Sequence, residues 1–76
     1  MLSAALEHLV KGIVDRPDEV TVRSSSSPRG DVLEVRVHPD DRGRVIGRGG
    51  RTAKALRALV SALADGARVR VDVADD

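Results

Sequence analysis

The chain contains no phenylalanine, tyrosine, tryptophan or cysteine. Without cysteine, disulfides and thiolate metal sites are excluded. Without aromatic rings the core must be built from Ala, Val, Leu and Ile. Stacking platforms for bases, worth about 1–3 kcal/mol each where present, are also missing. The two histidines, His8 and His38, lie far apart and show no metal-ligand spacing, so neither metal nor cofactor is implied. Long apolar runs are lacking too, since no stretch approaches the roughly 20 residues of a membrane span. The start, Met1-Leu2-Ser3-Ala4, has no basic leader region, and a cytoplasmic protein is expected. No catalytic constellation is visible. The serines cluster without a neighbouring histidine, and His38 beside Asp40-Asp41 is explained more simply as a helix cap. An enzyme acting on a small-molecule substrate is therefore not expected. Seventy-six residues suit one domain, close to the lower size limit for folding alone. A second copy or a partner would be a natural source of added stability.

Hydrophobic periodicity orders what is present. Leu2, Leu6, Leu9 and Ile13 recur at helical spacing, with Val10 widening the stripe, which predicts an amphipathic helix over 2–14. Asp15-Arg16-Pro17 stops it. Glu19 to Arg23 reads as a short strand with Val20 and Val22 on one face. Ser24 to Gly30 reads as a polar, mobile hairpin connector. Asp31 to His38 is a second strand, with Leu33, Val35 and Val37 inward and Glu34 and Arg36 outward. His38-Pro39-Asp40-Asp41 opens a short helix that Gly43 weakens and Gly47 ends. After a glycine loop, a longer helix runs to Ala64, with Ala53, Leu56, Val60 and Leu63 as its buried stripe, Leu59 flanking it and Asp65-Gly66 closing it. Ala67, Val69, Val71 and Val73 alternate with Arg68, Arg70 and Asp72 in a last strand. The order helix, strand, strand, helix, helix, strand implies an α+β fold. Its three-stranded mixed sheet has residues 31–37 in the centre and is covered on one face by three helices.

The net charge of +1 is uninformative, but its distribution is not. From Arg42 to Ala64 the charged residues are Arg42, Arg44, Arg48, Arg51, Lys54 and Arg57, with no acid among them. This basic strip surrounds Gly47-Arg48-Gly49-Gly50. Glycines so dense between two helices have two physical reasons: a turn that needs positive φ, or a ligand backbone that comes too close for side chains. The N-terminus of the following helix favours an anion. Cations at Arg48, Arg51 and Lys54 oppose the helix dipole unless a phosphate sits there. A P-loop does not fit, because no Gly-Lys pair exists and Arg48 stands where its second glycine belongs.

Ile46-Gly47-Arg48-Gly49-Gly50 resembles the KH signature, an apolar residue before a Gly-x-x-Gly loop between helices. The extra helix and strand ahead of that unit resemble the bacterial type II arrangement. The string from Gly43 to Arg57, in a chain of this length, is similar to the KhpA family of small stand-alone KH proteins. The resemblance implies one KH domain over 1–76, with a minimal core at about 31–73 and an N-terminal extension at 2–23. It also implies binding of single-stranded RNA, with Gly47 and Gly50 allowing close approach, Arg48 and Gly49 in the variable positions and Ile46 lining the groove. Arg44, Arg51 and Lys54 are added from the charge argument. Gly49 departs from the basic or polar residue usual at its position. The resemblance further implies an RNA chaperone or post-transcriptional regulator, a homodimer or a heterodimer with a KhpB-type KH protein, and a link to cell-wall homeostasis and cell-length control. Two other readings stay open. One is a helix-turn-helix DNA binder, against which the glycine-dense connection and short first helix count. The other is a protein-interaction module using the small-residue stripe Ala55, Ala58 and Ala62.

Overall fold

The computed structural model describes residues 2–65 and 68–74. Its elements are α1 (Leu2–Lys11), β1 (Thr21–Ser27), β2 (Gly30–Arg36), α2 (Arg42–Ile46), α3 (Arg51–Leu63) and β3 (Val69–Val73). Single 3-10 turns at Pro17–Glu19 and Pro39–Asp41 precede β1 and α2. The expected element order stands.

Helix α1 sinks Leu6 and Val10 into the core, and Leu2, Leu9 and Ile13 pack partly against it. It ends at Lys11, short of the predicted Val14. Glycine at position 12 is a poor helix former, and its N–H is shared between the carbonyls of His8 and Leu9 at 3.3 and 3.2 Å. The chain then tightens, Val14 N–H returns to Val10 O, and Val14 itself becomes buried. The next two amides, of Asp15 and Arg16, donate to the carboxylate of Asp41 at 3.2 and 3.1 Å. Asp41 is only 1% exposed and anchors the link between α1 and β1 to the start of α2.

Strand β2 lies in the centre of the sheet, antiparallel to β1 and parallel to β3, as the topology argument requires. Leu33 and Val35 face the helices and are buried with Val20, Val45, Leu56, Val60 and Val71. On the opposite face Glu34 pairs with Arg36 at 3.1 Å and Asp72 with Arg70 at 3.0 Å.

Two sequence readings need correction here. The serine run is strand, not a mobile connector: β1 continues to Ser27, in register from Thr21↔Arg36 to Ser27↔Gly30. Backbone pairing with β2 holds it extended despite the low strand preference of serine, and only Pro28 and Arg29 turn. Leu63, predicted inside, is 58% exposed, and Leu59 is 49% exposed. Ala53, Leu56 and Val60 do form the buried stripe. Leu63 follows on the same side but in the last turn, where more than half of it meets solvent. The left-handed residue after α3 is Asp65 (φ 52°). Gly66, expected to close that helix, and Ala67, expected to begin β3, lie outside the described residues.

The cap reading of His38 holds. Asp40 N–H donates to His38 Nδ1 at 3.1 Å, and Pro39 takes the first position of the turn.

Candidate nucleic-acid interface

Helix α2 is five residues long and closes when Gly47 N–H donates to Gly43 O at 2.8 Å. The chain reverses through Gly47 (φ 78°, ψ 169°), Gly49 (φ 65°, ψ 18°) and Gly50 (φ 77°, ψ 14°), then enters α3. Every one of these backbones is costly for an L-residue, so the turn alone accounts for the glycine density. The three positions differ, however, in what surrounds them. A Cβ on Gly47 would lie 2.3 Å from Thr52 Oγ1 and 2.8 Å from Thr52 N. Gly47 is thus bare because the first turn of α3 packs against it. Nothing lies within 4 Å of a Cβ built on Gly49 or Gly50. That stretch of main chain is open to an approaching ligand.

No side chain caps the start of α3, and its first turn holds no acid. Arg48, Arg51 and Lys54 are exposed around it, and among the described residues none of the three side chains has an ion-pair or hydrogen-bond partner. Three cations without counter-charge therefore gather at the positive end of a helix. Their mutual repulsion and the dipole both favour an anion there.

Arg44 does not join them. Its guanidinium reaches Asp15 at 2.9 Å and Asp41 at 3.6 Å, which ties α2 to the segment after α1. The acid-free run in the sequence hid this, because Asp15 arrives from far along the chain.

Beside the loop, Ile46 is 42% exposed. With Gly50, Ala53 and Arg57 it forms one wall of a groove whose other wall is the end of β3, Asp72 to Ala74. Ile46 and Ala53 are the apolar part of this lining, and the carboxylates of Glu34 and Asp72 border it. Arg57 crosses the groove: its Nε donates to Val71 O at 3.2 Å. It belongs to the basic run in the sequence, but only the packing of α3 on β3 shows that it lines this site. The signal that could have marked it is its spacing from Ala53, one helical turn earlier on the same face.

The helix and strand ahead of β2-α2-α3-β3, the mixed sheet centred on β2 and the Gly-x-x-Gly turn between α2 and α3 define a single KH domain of the type II arrangement. The family model described as "KhpA/KhpB, KH domain" matches residues 3–74, and the chain belongs to that family. It is 75% identical to the RNA-binding protein KhpA of Leifsonia xyli over the whole of both chains. It is 67% identical to the protein of that name from Streptomyces coelicolor, over 99% of this chain and 94% of the relative. The figure is 62% for that of Mycobacterium tuberculosis, over 93% and 88%. No solved structure matches the chain. No helix among the described residues is long and apolar enough to cross a membrane.

Proposed function

We propose that this domain binds single-stranded RNA by seating its phosphate backbone on the open main chain of Gly49 and Gly50. Arg48, Arg51 and Lys54 neutralise the phosphates, and bases lie in the groove floored by Ile46 and Ala53. The observation that carries this reading is the accessible, side-chain-free turn at the uncapped end of α3, among three cations with no partner. The names of the relatives, each an RNA-binding protein, support it. Binding is weak and salt-dependent, because the groove has no aromatic platform and most contacts are electrostatic. The double change Arg48→Asp with Gly49→Asp tests it by fluorescence anisotropy on a labelled oligonucleotide. Both side chains would enter open space, and aspartate tolerates the left-handed backbone at Gly49 better than most residues. The far-UV spectrum is therefore kept and the melting temperature falls only modestly, while affinity is lost. Unchanged affinity moves the site elsewhere.

Pairing with a second KH domain, either another copy or a KhpB-type partner, is supported by an exposed apolar flank of α3. There Leu59 and Leu63 are about half exposed or more, beside the small exposed residues Ala55, Ala58 and Ala62. An RNA chaperone or regulator acting in such a pair, with an effect on cell-wall homeostasis and cell length, follows from the family resemblance. Native mass spectrometry of Leu59→Glu with Leu63→Glu tests the pairing: the variant stays monomeric at concentrations where wild type dimerises. A wild-type protein that is monomeric, both alone and with a KhpB-type partner, refutes it.

A further inference from the structure

Beyond the glycine turn, α3 and the edge strand β3 run antiparallel, and the seam between them holds two separate depressions, the groove and a second one farther along. Near the loop it is bounded by Gly50 and Ala53 on one side and Val73 and Ala74 on the other. Farther on it is bounded by Ser61 of α3 and by Arg68, Val69 and Arg70 of β3. Arg57, bonded to Val71 O, stands between the two ends. From Gly50 to Ser61 this seam covers about 16 Å at the rise of an α-helix.

The far end is basic and built. The hairpin turn that carries Arg29 is fixed by two bonds: Ser27 Oγ donates to Gly30 O at 2.7 Å, and Arg29 N–H donates to Ser27 Oγ at 3.3 Å. Gly30 (φ 123°) then lets the hairpin close onto the start of β3. Any Cβ there would sit 2.5 Å from Arg68 O, and the amide of Asp31 donates to that same carbonyl at 2.9 Å. The result places Arg29 and Arg68, far apart in sequence, on one concave surface with Arg70 and the Ser61 hydroxyl. Arg70 shares its Nε with Asp72, and Asp31 also borders the surface. Among the described residues Arg29 and Arg68 have no side-chain partner.

We infer that this cluster is a second phosphate-binding site, which holds the RNA strand after it has crossed the groove from the glycine turn. The inference rests on the RNA-binding reading above and extends it. The footprint is then longer than the about four nucleotides that a KH loop clamps. Arg29, Arg68 and Arg70 at the far end and Arg57 midway offer guanidinium groups to a phosphodiester backbone. Glu34 and Asp72, which border the near end, are paired with Arg36 and Arg70. The cluster adds affinity and length dependence rather than base preference, because phosphate contacts carry no sequence information.

The test compares a tetranucleotide with a ten-nucleotide strand of the same base composition, on wild type and on Arg29→Gln with Arg68→Gln. Glutamine keeps the Cβ that Gly30 already accommodates, so the hairpin stays closed. The double variant is expected to lose about tenfold in affinity for the longer strand, as for two lost ion pairs at exposed positions. Its salt slope for that strand falls by about 1.4, at roughly 0.7 per neutralised phosphate of a single strand. The tetranucleotide binds wild type and variant alike. Equal affinity of the variant and wild type for the ten-nucleotide strand overturns the second site while leaving the loop site standing. Absence of RNA binding by wild type overturns both, and the Arg48→Asp, Gly49→Asp variant read in parallel identifies which part failed.

Discussion

Alanine at Gly47 and alanine at Gly49 look equivalent in the sequence, but the structure makes them opposite experiments. A methyl on Gly47 would lie 2.7 Å from Thr52 Cβ and 2.8 Å from Thr52 N, as well as 2.3 Å from the hydroxyl. The hydroxyl can rotate away, whereas the Cβ and the amide move only if the first turn of α3 moves. Overpacking of this kind costs about 1–3 kcal/mol. The backbone at φ 78°, ψ 169° adds about 1–3 kcal/mol, because that region is open almost only to glycine. Together these give a loss of about 2–6 kcal/mol. In a domain of this size each kcal/mol moves the melting temperature by about 4–8 °C, so Gly47→Ala lowers it by at least about 10 °C or prevents folding. Gly49 sits at φ 65°, ψ 18°, in the ordinary left-handed well, with open space over its Cα. Alanine costs about 1–2 kcal/mol there, and the stiffer unfolded chain returns about 0.4–1 kcal/mol of it. Asparagine, which tolerates that well, costs less still. The net cost of about 0–1.6 kcal/mol lowers the melting temperature of Gly49→Ala by about 5 °C at mid-range. Gly49→Asn loses less, so both fall short of Gly47→Ala. Both put atoms where the RNA backbone is proposed to lie, and both weaken binding. With no aromatic residue in the chain, far-UV circular dichroism or calorimetry is the readout for stability, and anisotropy of a labelled oligonucleotide is the readout for binding. Indistinguishable melting temperatures for Gly47→Ala and Gly49→Ala would refute the assignment of Gly47 to folding and Gly49 to ligand access.

Three further outcomes are expected. Asp41→Ala leaves the amides of Asp15 and Arg16 without their acceptor and removes a charge partner of Arg44; unsatisfied, partly buried donors cost about 1–3 kcal/mol each, so a denaturant titration should show a loss of about 2–4 kcal/mol. Arg44→Ala breaks the largely exposed pair with Asp15 and the contact with Asp41, and stability falls by about 1 kcal/mol. RNA affinity of Arg44→Ala stays within about twofold of wild type, whereas Arg51→Ala, which breaks no internal contact, lowers affinity and the salt slope by about 0.7. Equal effects of the two arginines on binding would place Arg44 back at the loop.

Much of this protein was legible from residue order because its signals are local. Alternation of Leu33, Val35 and Val37 and of Val69, Val71 and Val73 marks strands by the two-residue period of the pleat. The stripe through Ala53, Leu56 and Val60 marks a helix by its period of 3.6. Topology then follows from connection length: a hairpin sets β1 and β2 antiparallel, and two helices between β2 and β3 allow a parallel pair. The turn between α2 and α3 was visible because three glycines so close together are costly unless the backbone demands them.

What the residue order left undecided depends on partners distant along the chain. Serines with little preference for a strand became one because β2 supplies their hydrogen bonds. Arg44 left the loop cluster because Asp15 and Asp41 reach it in space. Thr52 decides why Gly47 must be bare, and the contact of Arg68 with Gly30 brings two arginines to one end of the α3–β3 seam. Periodicity records which way a side chain faces along its own element. Only packing settles which charges meet across elements, and in this domain that decides which arginines remain free for a ligand.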